Sequence, residues 1–276
     1  MIPVYNGRAT LPLSIRSLEL QTFRDWEAIV VDDGSTDGLK QFLETLQDER
    51  FRFIRHNQNQ GRAVARQTAL DAARGQYVAY LDCDDFYHPL KLEKQVALFR
   101  HRPDLAYCST GIGSFDSSSG LRRIRARFSI ECERFGLRSR MRLSPVASMI
   151  KAEVAKNCVY NASLNLGEDT DYFKRALDGR LYGSIPDVLY YYGEYGSVTK
   201  AKILKSCIYQ ARASKHYWRC DKRYAAQNFA ACSGKALLFL TIFAFVDTQT
   251  LLDRRGVVPT KKESVEFEQV FGLIRA

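Results

Sequence analysis

No two cysteines in this chain form a C-x-x-C pair. Their total of seven (Cys83, Cys108, Cys132, Cys158, Cys207, Cys220 and Cys232) is odd. A zinc ribbon and a disulfide framework are therefore disfavoured, and reduced thiols are the simplest expectation. The four histidines include no pair at metal-ligand spacing. The longest apolar run, residues 236–246, contains Thr241 and falls far short of the ~20 residues a membrane-spanning helix needs. The N-terminus shows no basic stretch followed by an apolar core, so no signal peptide is expected. There is no P-loop, no G-x-G-x-x-G and no repeat at solenoid spacing. Acidic residues are in deficit: 31 Asp and Glu stand against 41 Lys and Arg, a formal net charge of +10. That balance favours anionic partners, but does not choose among nucleic acid, lipid headgroups and phosphorylated substrates.

What is present is ordinary globular material. Of 276 residues, 46% are hydrophobic and 26% charged, enough for one large domain, or one domain with an appendage, to bury its own core. Up to about residue 110 the sequence alternates strand-like and helix-like segments. Apolar runs at residues 2–5, 26–31, 51–54 and 77–81 are separated by helical patterns at 11–20, 36–46 and 61–73, and Pro89 opens a further helix over 90–99. Ser35 or Thr36 is the expected cap of the second helix. Such alternation predicts an α/β fold with a parallel sheet flanked by helices. Three strands end in polar clusters, Tyr5-Asn6, Asp32-Asp33 and Asp82-Cys83-Asp84-Asp85. In such sheets ligands bind outside the carboxyl ends of the strands.

Past residue 110 the pattern changes. Residues 114–120 look like a Ser/Gly-rich loop. Residues 121–142 hold eight arginines against two glutamates: either a solvated loop or a clamp on an anionic surface. Strand-like residues 146–150, a helix from Gly167 to about Leu177, a Tyr-rich strand over 188–192 and a mostly helical tail from Lys200 follow.

Asp82 and Asp84, just past a strand end, can converge on one divalent cation if the chain turns there. Hard carboxylate oxygens suit Mg²⁺ or Mn²⁺, which bridge substrate phosphates. The competing reading is a polar cap cluster ahead of Pro89.

Five motifs occur in order: Ile2-Pro3-Val4-Tyr5-Asn6, Val30-Val31-Asp32-Asp33-Gly34-Ser35-Thr36-Asp37, Asn59-Gln60-Gly61-Arg62-Ala63-Val64-Ala65-Arg66, Leu81-Asp82-Cys83-Asp84-Asp85 and Gly167-Glu168-Asp169-Thr170-Asp171. Together they resemble glycosyltransferase family 2, inverting nucleotide-sugar transferases of GT-A fold. The resemblance covers roughly residues 1–200. It implies a Rossmann-like, mixed but mainly parallel sheet flanked by helices. Residues 1–200 would form the catalytic domain, with a nucleotide-binding half (1–110) and an acceptor-binding half (111–200). Residues 201–276 would be a helical C-terminal extension.

The resemblance also implies roles. Pro3 and Tyr5 would line the base and ribose pocket, although a packed core tyrosine is an equal reading of Tyr5. Asp33 would accept a hydrogen bond from uracil, and Asp32 would be structural. Arg66 would approach the phosphates unless it is a surface ion pair. Asp82 would hold the ribose or a metal-bound water, and Asp84 would ligate Mn²⁺ or Mg²⁺. Asp85 would cap a helix. Asp169, opening a helix whose N-terminus keeps a carboxylate ionised, would be the base. Glu168 would bind the acceptor, and Asp171 is the weaker candidate. The partners implied are a UDP-sugar donor and a glycan or lipid-linked glycan acceptor, with no nucleic acid. The site implied is cytoplasmic, and the product a cell-surface polysaccharide.

Some features depart from the pattern. Strand 1 has almost no apolar lead-in before Ile2, so restored upstream residues, if they exist, would raise thermal stability. Gly193 and Tyr195 occupy the places of an Arg and a His, and the Q-x-x-R-W motif of processive synthases is absent, which favours single additions. The basic tail is compatible with packing on the catalytic domain, with peripheral contact to an anionic membrane, or with dimerisation. A nucleotidyltransferase on a related α/β fold, and a non-catalytic basic protein binding nucleic acid or membrane, are the competing functions.

Overall fold

The computed structural model describes residues 1–138, 143–218 and 221–276. The first half runs β1 (Ile2–Val4), α1 (Leu11–Glu19), β2 (Ala28–Asp32), α2 (Leu39–Leu43), β3 (Phe51–Arg55), α3 (Arg62–Ala72), β4 (Tyr77–Ala79), β5 (Phe86–Tyr87) and α4 (Lys91–His101). The middle runs β6 (Tyr107–Asp116), β7 (Gly120–Arg125), β8 (Ile130–Arg134), β9 (Met149–Lys151), α5 (Ala152–Ala155), α6 (Glu168–Leu177) and β10 (Leu181–Tyr192). Five helices follow: α7 (Glu194–Ser197), α8 (Lys200–Tyr217), α9 (Lys222–Ile242), α10 (Thr248–Asp253) and α11 (Lys261–Arg275).

Strands β1, β2 and β3 pair in parallel. A mixed set, ordered β4-β9-β6-β10-β5, carries β7 on β6 and β8 on β10. The backbone of Met1 joins the two: its amino group donates to Ala79 O at 2.8 Å, and its carbonyl accepts from Leu81 N. Every residue of β2 is buried, as expected for a strand covered on both faces. Ile29 and Val31 pack with α3 in one apolar cluster, while Ala28 and Val30 pack with Leu11 and Ile15 of α1 in another. That alternation puts helices on both sides of the sheet.

Several sequence expectations shift. The second helix begins at Leu39, after a left-handed Gly38. Ser35 and Thr36 do not cap it because they tie the β2–α2 loop to Asn6: Asn6 N donates to Ser35 Oγ, and Thr36 N to Asn6 Oδ1. Residues 114–116 continue β6, because β7 pairs with them. Asp85 does not cap a helix; it lies six residues before α4, fully buried, and accepts from Tyr190 Oη at 2.5 Å and Gly193 N at 2.8 Å.

The arginine-rich segment contains strands β7 and β8, and several of its charges are matched by carboxylates of α7 and the tail. Arg122 and Arg123 meet Asp253, Arg125 meets Glu194, Arg127 meets Glu263, and Arg138 meets Asp221. These arginines are thereby committed to the chain's own carboxylates, not left as a free clamp on an anionic surface. Residues 139–142 of that segment, together with Arg219 and Cys220, lie outside the described residues. The tail also returns to the sheet: Phe267, Val270, Phe271 and Ile274 of α11 close an aromatic cluster with Phe86, Phe115 and Tyr191.

Candidate active site

A cleft of about 1140 Å³ opens at the carboxyl ends of β1, β2 and β4. A second cavity, about 640 Å³, lies at their opposite ends, lined by Met1, Trp26 and Tyr77 among others. The first holds the carboxylates and is the candidate site.

Pro3 and Tyr5 line its floor. Tyr5 is 50% exposed, so it is not a packed core tyrosine. Asp33 also lines the cleft, almost wholly buried. Its Oδ1 accepts from Gln60 N at 2.9 Å and from His56 Nδ1 at 2.8 Å, and its Oδ2 accepts from Gly61 N at 2.8 Å. His56 Nε2 is within hydrogen-bond reach of Thr68 Oγ1, 3.0 Å away. Asp33 therefore pins the β3–α3 loop under the cleft. Asp32 is structural, paired with Arg55 and accepting from Ser35 N.

Arg66 is not on the surface. Only 3% exposed, it donates to Asp82 Oδ1 at 2.9 Å, and its Nε lies 3.5 Å from Glu168 Oε1. Burial opposes its charge, but Asp82 and Glu168 outweigh burial and keep it ionised. It thus bridges the β4 end to the start of α6 beneath the cleft, with its charge largely spent on these two carboxylates. Arg62, Lys202, Lys235 and Arg255 also line the cleft.

Asp84 accepts no hydrogen bond from another side chain among the described residues. Burial, and then Asp82, push its carboxyl above the usual range. Asp82 is bonded to Arg66, which leaves Asp84 as the carboxylate of the two without a side-chain donor among the described residues. Among the described residues no group of three or more His, Cys, Asp or Glu could hold a metal ion unaided. The pair fits an ion that draws its other ligands from water and substrate phosphates.

The Glu168–Asp169 pair opens α6 after a left-handed Gly167. Glu168 is 1% exposed, its Oε2 has no hydrogen-bond partner among the described residues, and burial, then Asp169, push its carboxyl up. Asp169 is half-buried and accepts from Thr170 N at 2.6 Å. It does not line the cleft, whose wall here is Asn165 and Leu166. Asp171 is structural, held by Arg175 and Tyr217.

Sequence reasoning missed three contributors. His56 positions Asp33, Tyr192 lines the cleft, and one whole wall comes from α8, α9 and Arg255. No local motif marks those positions. Only the chain's return brings them within reach.

A parallel β-α half ending in a carboxylate-lined cleft, joined to a mixed half, is the architecture of GT-A α/β proteins. The chain belongs to glycosyl transferase family 2, whose family model matches residues 1–159. It is 37% identical over 98 residues to an Escherichia coli protein, UDP-Glc:alpha-D-GlcNAc-diphosphoundecaprenol beta-1,3-glucosyltransferase WfgD, covering 36% of this chain and 39% of that one. The match thus spans about two fifths of the length of that curated relative. Among solved structures, S. aureus TarS 1-349 in complex with UDP-GlcNAc superposes with a TM-score of 0.65 at 17% identity, over 99% of this chain and 79% of TarS. The mannosyltransferase PcManGT from Pyrobaculum calidifontis, in complex with GDP-Man and Mn2+, gives 0.57 at 15% identity, over 99% and 83%. Those two likenesses bear on the fold, which is GT-A.

Proposed function

We propose that the chain is an inverting transferase that moves a sugar from a UDP-sugar to a hydroxyl of a glycan or lipid-linked glycan, in cell-surface polysaccharide assembly. The observation that carries this reading is Asp84: a carboxylate with no side-chain donor, beside Asp82, on the rim of the strand-end cleft. Pro3 and Tyr5 would hold the base, Tyr5 offering an exposed ring. Asp33 would accept from the base while fixing the adjoining loop. Asp82 and Asp84 would hold Mn²⁺ or Mg²⁺, which when bound offsets the charge that develops on a departing diphosphate. Arg62, Lys202 and Lys235 supply positive charge to the same cleft. Residues 1–110 would bind nucleotide and 111–200 acceptor, with the extension from 201 adding a wall.

Asp169 is the proposed base that takes the proton from the acceptor hydroxyl. Burial and the Arg66 contact keep Glu168 from an incoming hydroxyl. Asp169, half-exposed one residue on, is the carboxylate of this pair that an acceptor can meet. Glu168 then positions the acceptor side through Arg66.

UDP with Mn²⁺ should raise the melting temperature, and Asp84→Ala should remove that rise. Asp169→Asn should keep it while transfer, followed as UDP release over a panel of UDP-sugars, falls on the order of 100-fold or more. Equal stabilisation by all nucleoside triphosphates, or undiminished transfer in Asp169→Asn, would overturn the corresponding assignment.

A further inference from the structure

Neither α8 nor α9 contains an acidic residue. On α8, Lys205, Ile208, Arg212 and Lys215 are all exposed, and their spacing of three, four and three places them along one helical face. On α9, Phe229, Leu237 and Leu240 are 56%, 66% and 54% exposed. Their positions fall within one side of the helix. Phe245, in the turn that follows, is 89% exposed. Helix α9 packs chiefly on α8. A run of large apolar side chains facing water, beside two helices that carry cations and no acids between their caps, is an interaction surface.

The chemistry selects the partner. A second copy would set one acid-free cationic hairpin against another, and a nucleic acid would leave the apolar stripe uncovered. An anionic bilayer satisfies both features: headgroups match the cations and acyl chains take the apolar side chains. No helix among the described residues is long and apolar enough to cross a membrane, so the hairpin would lie in the interface. We infer that the α8–α9 hairpin docks on an anionic lipid bilayer, with Phe229, Leu237, Leu240 and Phe245 entering the acyl boundary. Lys202, Gln210, Lys235 and Phe239 of the same two helices line the cleft, so docking would bring the cleft mouth to the headgroup layer. The inference goes beyond the transferase reading and does not depend on the donor.

Flotation of the full chain with phosphatidylglycerol–phosphatidylcholine vesicles at low salt tests it. The protein should float with these vesicles, stay behind with pure phosphatidylcholine, and be released as salt screens the headgroups. The triple variant L237S/L240S/F245S should bind at least about tenfold more weakly, with unchanged helical circular dichroism. Should that variant fold poorly, the conservative F245W chain reports instead: its tryptophan emission should shift to the blue only with anionic vesicles. UDP-induced stabilisation in the same samples follows the cleft separately. Absence of flotation at low salt, undiminished binding by the folded triple variant, or an F245W spectrum indifferent to vesicles would each overturn the inference. So would a wild-type dimer that the triple variant dissociates, without vesicle binding by either.

Discussion

Lys91 is a lysine with no carboxylate partner among the described residues, wholly buried, its Nζ donating to Gln95 Oε1 at 2.7 Å and lying 4.0 Å from the Tyr87 ring centre. Burial pushes its pKa from 10.5 down to about 7. The unfolded chain therefore binds this proton more tightly than the folded one. Stability from the neutral amine is complete above the unfolded value and is lost as pH falls toward the folded one. Lys91→Met should stabilise the protein at pH 7 by about 1–2 kcal/mol. The gap between variant and wild type in urea melts should narrow as pH rises to 9; a constant gap would refute the titration. Neither the burial nor the missing partner is visible around Pro89 in the sequence, where Lys91 resembles any helix-opening lysine. Asp84, by contrast, was legible, because two carboxylates past a strand end are local information. Arg66 was half legible. Its place in a motif is sequence; its burial between Asp82 and Glu168 needs two segments far apart in the chain.

At the scale of elements, the β-α loops are built as a set. Gly34 follows Asp32-Asp33 with a φ of +76°, and a Cβ there would sit 2.5 Å from the Gln58 carbonyl carbon. Gly34→Ala should cost about 1–2 kcal/mol from the left-handed backbone alone, and more from the clash. Because Asp33 pins the Gln60–Gly61 turn beside it, the same variant should weaken UDP binding, as calorimetry would show. Native affinity and a native melting temperature would together contradict this account. Element existence followed from apolar periodicity for α1, α3, α6, β2 and β3. The start of α2 was displaced, because Asn6 holds Thr36 in the loop before it, and residues 114–116 are strand, where pairing with β7 overrides a loop-like composition. In both cases a partner distant in sequence supplied the hydrogen bonds that decided the conformation.

Across the whole molecule, the tail packs on the α/β body more closely than its place beyond residue 200 implies. Phe267 is fully buried against Phe86, Phe115 and Tyr191, the Tyr191 ring centre being 5.2 Å away. Phe267→Ala should destabilise the protein by about 3–5 kcal/mol, a fall in melting temperature that calorimetry would register. A near-native melting temperature would mean that α11 is dispensable. The carboxylates Glu194, Asp253 and Glu263 also pair with Arg122, Arg123, Arg125 and Arg127, which is why those four arginines do not present a free cationic face.

The sequence by itself determined the α/β class, the family, and the acidic residues at the strand ends, because strand periodicity and β-α loop motifs are local and the strand ends converge in any parallel sheet. Tertiary structure alone decided that Arg66 is buried, that Asp33 is anchored by His56, that Asp169 stands beside the cleft and not in its wall, and that α8 and α9 close one side. Each of those facts depends on contacts between residues tens to more than a hundred positions apart. Such contacts are set by packing and charge pairing, which leave no periodic trace in the chain.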